Sequence, residues 1–223
     1  MRPLTDDVPL VQRVHDELRA AMLRGELEPG KLYSVVEISR QLGVSRTPVR
    51  EALLGFASEG LVSFERSKGV RILEASLTDI RDLFGLRLLL EVPSAALAAA
   101  SEDSAQLDTM HQAFQAMEAA CAADDEAAFQ DHDTTFHDAL LRAAGNAQVA
   151  DAVRRARGQV HVQRLSTTRT RSLGEVLEVH RRIHDAVRSG NEAEASAAVE
   201  AHLTETRDIL LAQISGPHAS TVD

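Results

Sequence analysis

Residues 34–60, SVVEISRQLGVSRTPVREALLGFASEG, decide the fold of the N-terminal part of this chain. Two runs of apolar residues recur there at helical spacing and predict two short helices, namely Val35, Ile38 and Leu42, then Val49, Ala52, Leu53 and Phe56. Gly43 between the two runs suits the end of a helix and a tight turn. Ser34 stands three residues before Glu37, which is the spacing of a capping box. The stretch therefore predicts a helix-turn-helix.

The flanking sequence extends this motif on both sides. Before it, an apolar stripe predicts a helix that ends near Gly25, with the residues Leu10, Val14, Leu18, Ala21 and Met22. After Gly60, Val62 and Phe64 alternate with polar residues, and VRIL at 70–73 follows a polar tip. A helix, a helix-turn-helix and a small hairpin predict a winged helix-turn-helix domain over residues 8–75.

The chain from Ser76 onward shows helical patterning only. We expect helices near 77–101, 104–123, 125–143, 147–168, 173–189 and 192–214. Pro93 lies inside the first of them and should kink or split it. Short polar breaks between such helices indicate an antiparallel bundle. The predicted fold class is thus mostly α, with a helical bundle over 76–214 and a frayed tail over 215–223.

Composition excludes several classes of protein. Hydrophobic residues make up 44% of the 223 residues and aromatic residues only 3%, which favours packed helices over sheets. The single cysteine, Cys121, rules out an intrachain disulfide and a thiolate zinc cluster. No apolar run has the roughly 20 residues of a membrane span, and the opening MRPLTDDVPL is not a signal peptide. We expect a soluble, cytoplasmic protein.

The net charge of −10 does not exclude nucleic acid, because the charge is uneven. Residues 1–73 hold 11 Lys and Arg against 10 Asp and Glu, and the acidic excess lies in the rest of the chain. In a helix-turn-helix, the start of the second helix reads base edges in the major groove. The predicted DNA-contacting residues are Arg46, Thr47 and Arg50 on that helix, Arg40 before it, and Arg66, Lys68 and Gly69 at the tip of the wing.

The run from 17 to 62, which contains LEPGKL and LGVSRTPVREAL, resembles the N-terminal domain of GntR-family transcription factors. The resemblance implies a homodimer on a short palindromic operator, with repression the expected effect. This chain departs from the family at Val35 and Val36, where relatives usually carry Glu-Arg. Since Val36 replaces an arginine that relatives use against DNA, we expect that contact to be missing.

The C-terminal part is similar to the ligand-binding domain called FCD in the FadR-like branch of that family. The similarity lies in DIRDLFGLRLLLE at 79–91, DTTFHDALLRAAGN at 133–146 and VHRRIHDAVRSGNEAEASAAVEAHL at 179–203. It implies that the bundle binds a small organic acid, and it points to Arg87 as an anchor for that effector. An ion pair between Arg87 and Glu91, at i and i+4, is the alternative.

A metal site is the second chemical prediction for the bundle. Asp133 and His137 are four residues apart and share one helix face. His180 and His202 lie on later helices, but His184 is also correctly spaced from His180, so spacing alone cannot choose between them. The resemblance chooses Asp133, His137, His180 and His202 as ligands, and leaves His184 to line the effector pocket. Carboxylate and imidazole ligands suit zinc, nickel or manganese.

Three functions remain open at this point. The first is a regulator whose operator affinity depends on an organic acid, the second is a regulator that senses the metal itself, and the third is a metalloenzyme. The sequence contains no H-E-x-x-H motif, no nucleophile elbow and no phosphate-binding loop. We therefore predict a ligand-responsive regulator and not an enzyme.

Overall fold

The computed structural model describes residues 9–66, 68–163 and 165–215. It divides into two compact units. The first comprises the described residues up to Ala75 together with Gln159–Leu165, and the second comprises Ser76–Gly158 and the described residues from Ser166 onward. Of the predicted tail, all but Ser215 lies outside the described residues.

The described residues of the first unit up to Ala75 form three helices and a small sheet. These elements are α1 (Leu10–Arg24), β1 (Leu32–Tyr33), α2 (Val35–Gln41), α3 (Arg46–Ser58), β2 (Val62–Glu65) and β3 (Gly69–Ile72). Both strand pairs are antiparallel in the order β1-β3-β2, and Phe64 lies opposite Val70. Strand β1 was not predicted, because two residues are too short to show an alternating pattern. The helix-turn-helix and its wing are present.

The apolar stripes of the sequence meet in the core of this unit. The side chains that are almost completely buried include Leu18, Met22, Ile38, Val49, Leu53, Phe56, Val70 and Ile72. The expected capping box at Ser34 is wrong, however. Ser34 is the residue before α2, but its side chain makes no cap hydrogen bond, and the Glu37 carboxylate accepts from Arg40 instead.

The second unit consists of the remaining helices. They are α4 (Leu77–Ala99), α5 (Ser104–Ala122), α6 (Glu126–Ala143), the first part of α7 (Ala147–Val162), a short 3-10 helix (Thr167–Arg169), α8 (Leu173–Arg188) and α9 (Glu192–Ser215). Helix α5 packs on α6, and α4 packs on α9. Helix α7 ends six residues earlier than the predicted 168, and Pro93 does not split α4.

Side-chain caps define where several of these helices begin. Ser76 with Asp79 opens α4, and Ser172 with Glu175 opens α8, each in a reciprocal capping box. Asp125 accepts from the Ala128 amide at the start of α6. In the part of the chain that the structure describes, no single helix is long and apolar enough to cross a membrane, and α4 with α5 passes that test only as a pair bent by 109°.

Candidate functional site

Helix α3 exposes the polar residues at its N-terminus and buries its opposite side. Arg46, Thr47 and Arg50 are exposed, whereas Val49 and Phe56 have no accessible surface. Core and contact residues therefore lie on separate faces of one helix. The three polar side chains can meet a nucleic acid without any change in the packing of the unit.

A cleft of about 490 Å³ lies between the start of α2, the helix α3 and the wing. The guanidinium carbon of Arg50 lies 5.2 Å from the centre of the Phe64 ring, which orients the arginine through a cation–π contact. Val36 also lines the cleft, and 56% of its surface is exposed. The position that differs from the family pattern is therefore on the same surface as Arg50.

The wing places Arg66 and Lys68 in solvent, with the Lys68 ammonium 3.9 Å from a Glu65 carboxylate oxygen. Gly69 has a φ of +136°, and a Cβ there would lie 2.1 Å from the Tyr33 carbonyl oxygen. The pairing of β1 with β3 thus requires glycine for a reason internal to the domain. Its approach to DNA stays a prediction.

Arg40 is exposed but already paired. Its guanidinium Nη2 lies 2.6 Å from Glu37 Oε1 on the same helix. Exposed pairs of this kind contribute little to stability. The pair can open at low cost when a phosphate competes for Arg40, so the predicted DNA contact does not conflict with the structure.

Three imidazoles from three different helices converge inside the second unit. His137 on α6, His180 on α8 and His202 on α9 place one ring nitrogen each within 4.8 Å of the others. The Nε2 atoms of His137 and His180 are 3.1 Å apart. The ring of His202 stacks on that of His137 with a centroid distance of 5.3 Å. No other group of three such side chains occurs among the described residues.

Asp133 joins this cluster with one of its two carboxylate oxygens. Oδ1 lies 2.7 Å from His180 Nε2 and 3.7 Å from His137 Nε2. Oδ2 lies 2.5 Å from Nη2 of Arg157, which comes from α7. The four residues that the sequence predicted as ligands are therefore brought together, and a buried arginine lies beside them.

The orientation of His180 determines which nitrogen faces the cluster. His180 Nδ1 lies 2.8 Å from the Val176 carbonyl oxygen, and a carbonyl can only accept, so Nδ1 carries a hydrogen. In the neutral ring, Nε2 then has a lone pair that faces Asp133 Oδ1. A backbone carbonyl that fixes the tautomer in this way is typical of metal-binding histidines.

The donor set fits a divalent cation. Two acceptors at 2.7 Å repel each other unless a cation or a proton lies between them. Adjacent ligands of an ion with bonds of about 2.0–2.1 Å are about 3.0–3.4 Å apart. The two Nε2 atoms, 3.1 Å apart, match this range, and the separations of 2.7 and 3.7 Å from Asp133 Oδ1 lie on either side of it. Nitrogen and oxygen donors of this type suit zinc, nickel or manganese.

Burial and neighbouring charge favour the unprotonated forms of His137, His202 and Asp133. Burial lowers the pKa of His137 well below the usual histidine value, and the Arg157 guanidinium lowers it further. Burial, His180 and Arg87 together lower the pKa of His202. Burial alone would raise the pKa of Asp133, but Arg157 and the neighbouring histidines hold it well below its usual range. Neutral imidazoles and an ionised carboxylate are the forms that bind metal.

The two residues predicted to bind an effector lie in different surroundings. Arg87 is buried, and its Nε lies 2.6 Å from Glu91 Oε1, so the alternative ion pair is formed. His184 Nε2 lies 2.9 Å from His111 Nδ1, and its ring stacks on Phe114. His184 is therefore not part of the histidine cluster. Effector binding by Arg87 and His184 stays a prediction.

Sequence reasoning missed Arg157 and His111. Neither residue belongs to a recognisable motif, and Arg157 is 24 positions away from its partner Asp133. The only available signal was the position of Arg157 on the buried side of α7, beside Val153 and Ala156, which are both buried. A charged residue in an apolar stripe indicates a buried partner but does not identify it.

The second helix of the winged helix-turn-helix exposes its arginines, and a helical bundle follows it in the chain. This is the architecture of a DNA-binding transcriptional regulator. The chain belongs to the bacterial GntR family of regulatory proteins, whose DNA-binding domain matches residues 10–72 and whose FCD domain matches residues 82–205. The predicted family and fold class are confirmed. Because the family consists of regulators, the expectation that the chain is not an enzyme is confirmed as well.

Individual relatives agree with this assignment. The HTH-type transcriptional regulator LutR of Bacillus subtilis is 34% identical over 83% of this chain and 94% of its own length. The D-xylose utilization operon transcriptional repressor assigned in Paenarthrobacter nicotinovorans is 29% identical over 87% of this chain and 85% of its own length. Among solved structures, E. coli McbR/YncC has a TM-score of 0.78, with 19% identity over 94% of this chain and all of its own, and it shows the same fold.

Proposed function

We propose that the chain is a repressor whose operator affinity is controlled by a small organic acid, bound beside a divalent ion held by Asp133, His137, His180 and His202. The observation that carries the proposal is the convergence of one carboxylate oxygen and three imidazole nitrogens from three helices in the second unit. Buried polar groups of this kind are costly unless they have a ligand or a partner.

We assign sequence-specific contacts with the DNA bases to Arg46, Thr47 and Arg50. Contacts with the phosphate backbone of the DNA are assigned to Arg40 and to the wing residues Arg66, Lys68 and Gly69.

One recognition helix per chain supports binding as a homodimer, since two symmetry-related helices read half-sites about one helical turn apart. Sedimentation of the operator complex at saturating protein should give two chains per operator. A complex with one chain would contradict the dimer.

The ion, when bound, would neutralise a carboxylate of the effector. Around it, the chain supplies three orienting groups. Val176 fixes the His180 tautomer through its carbonyl, and Arg157 holds one oxygen of Asp133. Arg87 offers a buried positive charge, provided that Glu91 yields part of its pairing. His184 would border the pocket one helical turn from His180.

The effector prediction is tested with metal-loaded protein and a panel of small hydroxy acids, sugar acids and dicarboxylates. An acid that binds at the site should raise the melting temperature and weaken operator binding about 5- to 150-fold, the usual size of an allosteric coupling. Because linkage is reciprocal, operator DNA must weaken binding of the same acid by the same factor. Both titrations are measured by fluorescence anisotropy.

Chelator-treated protein is the control in this experiment, since it should lose the response to the acid. If the metal alone changed operator affinity and no acid changed it further, the ion would be the signal and the organic-acid proposal would fail. If neither metal nor acids changed operator binding, the sensor role of the bundle would be wrong.

A further inference from the structure

Arg157 is a largely buried cation beside the proposed metal site. Only 12% of its side-chain surface is exposed, and its Nη2 lies 2.5 Å from Asp133 Oδ2. The other oxygen of Asp133 faces His180 and His137. One carboxylate thus divides its two oxygens between a guanidinium and the imidazole cluster.

The second buried arginine of this unit shows why the pairing of Arg157 matters. Arg87 is neutralised by Glu91, and both residues are almost completely buried. The ion-pair partner of Arg157 in the described structure is Asp133, the same residue that the metal would need. A buried charge without a partner is strongly destabilising. The metal-free fold therefore depends on the pair between Arg157 and Asp133.

The positive charge of Arg157 also acts on the imidazoles. Only the Asp133 carboxylate separates its guanidinium from the cluster, since Oδ2 lies 2.5 Å from Arg157 Nη2 and Oδ1 lies 2.7 Å from His180 Nε2. A divalent ion bound to Asp133 Oδ1 would therefore lie close to the full positive charge of Arg157. At the effective dielectric of a protein interior, a full positive charge so close to a divalent cation lowers the affinity of the site for that cation by well over tenfold.

We propose that Arg157 is a built-in counter-ion that shares Asp133 with the metal, stabilises the metal-free fold and keeps the bound ion exchangeable. The inference rests on the proposed metal site. Because Arg157 keeps Oδ2, Asp133 offers the ion only Oδ1, which leaves coordination positions open for an exogenous ligand. Arg157 is thus a positioning residue that acts through Asp133.

Three variants of the full-length chain separate its charge from its packing. Arg157→Gln removes the charge, and Arg157→Lys keeps it with a different shape. Arg155→Gln, on an exposed position of the same helix, is the matched control. For each variant, competition with a chromophoric chelator gives the zinc affinity, and thermal melting is recorded with and without zinc.

Arg157→Gln should bind zinc at least about tenfold more tightly than the parent. Its metal-free form should melt several degrees lower, and zinc should raise its melting temperature by more than it raises that of the parent. Arg157→Lys should bind zinc with nearly the weaker affinity of the parent, because lysine restores the positive charge. Arg155→Gln should match the parent in every measurement.

Zinc affinity in Arg157→Gln that equals the parent value or falls below it would overturn the inference. If the metal-free variant does not fold, zinc must restore its circular dichroism and melting transition, and failure to do so would also overturn it. Absence of zinc, nickel and manganese binding in the parent is a different result. It would remove the proposed metal site itself, whatever the Arg157 variants do.

Discussion

His202→Ala should lose the divalent ion, and with it any carboxylate effector that depends on the ion. Removing one nitrogen from a four-donor site should weaken metal binding at least about 100-fold, since even the outer hydrogen-bond partners of metal ligands contribute 10- to 100-fold. His137→Ala should behave in the same way. Elemental analysis of protein purified without chelators, followed by zinc titration, measures the loss.

His184→Ala is the matched control, because it replaces a histidine of the same unit whose ring contacts His111 and Phe114 instead of the cluster. It should retain the metal, whereas His180→Ala should not. The opposite pattern, with metal lost in His184→Ala and kept in His180→Ala, would overturn the ligand assignment. Operator binding without effector should survive in all of these variants, since the core of the first unit is separate from the site.

The pH dependence of metal binding follows from the same cluster. A proton and the metal compete for the ring nitrogens, and the pKa values of His137 and His202 are lowered well below the ordinary histidine value. Proton competition at these two rings should therefore begin to weaken metal binding only below pH 6.5. A decline already between pH 7.5 and 6.5 in the zinc titration would contradict this environment for the two histidines.

Arg46→Ala should lose about 1–3 kcal/mol of discrimination at one base position in each half-site, because an arginine that bonds guanine O6 and N7 carries that much specificity. Lys68→Ala, as a phosphate contact, should weaken binding to all sequences alike and flatten the salt dependence. Both effects are read from binding isotherms on the operator and on single-base variants, at several salt concentrations.

Arg13→Ala provides the control for these measurements, since Arg13 is exposed on α1 and belongs to the same unit. It should change neither the base preference nor the salt dependence. If Arg46→Ala bound the operator as tightly and as selectively as the parent, the recognition-helix assignment would be wrong. Val36→Arg adds a useful comparison, because it restores the arginine that the family pattern carries on the surface of the same cleft.

Local patterns in the sequence were sufficient for most helices and for the wing. The stripe of Val49, Leu53 and Phe56 predicts the buried side of α3, since the 3.6-residue period alone determines which residues share a face. The same argument could not find β1, whose two residues pair with Arg71 and Val70 of β3, beyond α2, α3 and β2 in the chain. It also overextended α7 to 168, because a polar stretch without Gly or Pro contains no stop signal.

The sequence by itself determined the family, the exposed arginines of α3 and the fact that Asp133 and His137 share one face. Spacing alone left His180 and His184 equivalent, because residues four apart on a helix project from the same side, and the choice of His180 came from the family resemblance. The tertiary structure brings His180 to the histidines of α6 and α9, and it brings His184 to His111 of α5. Arg157 likewise reaches Asp133 only through the packing of α7. Contacts between helices depend on how whole helices pack, and no local period encodes that arrangement.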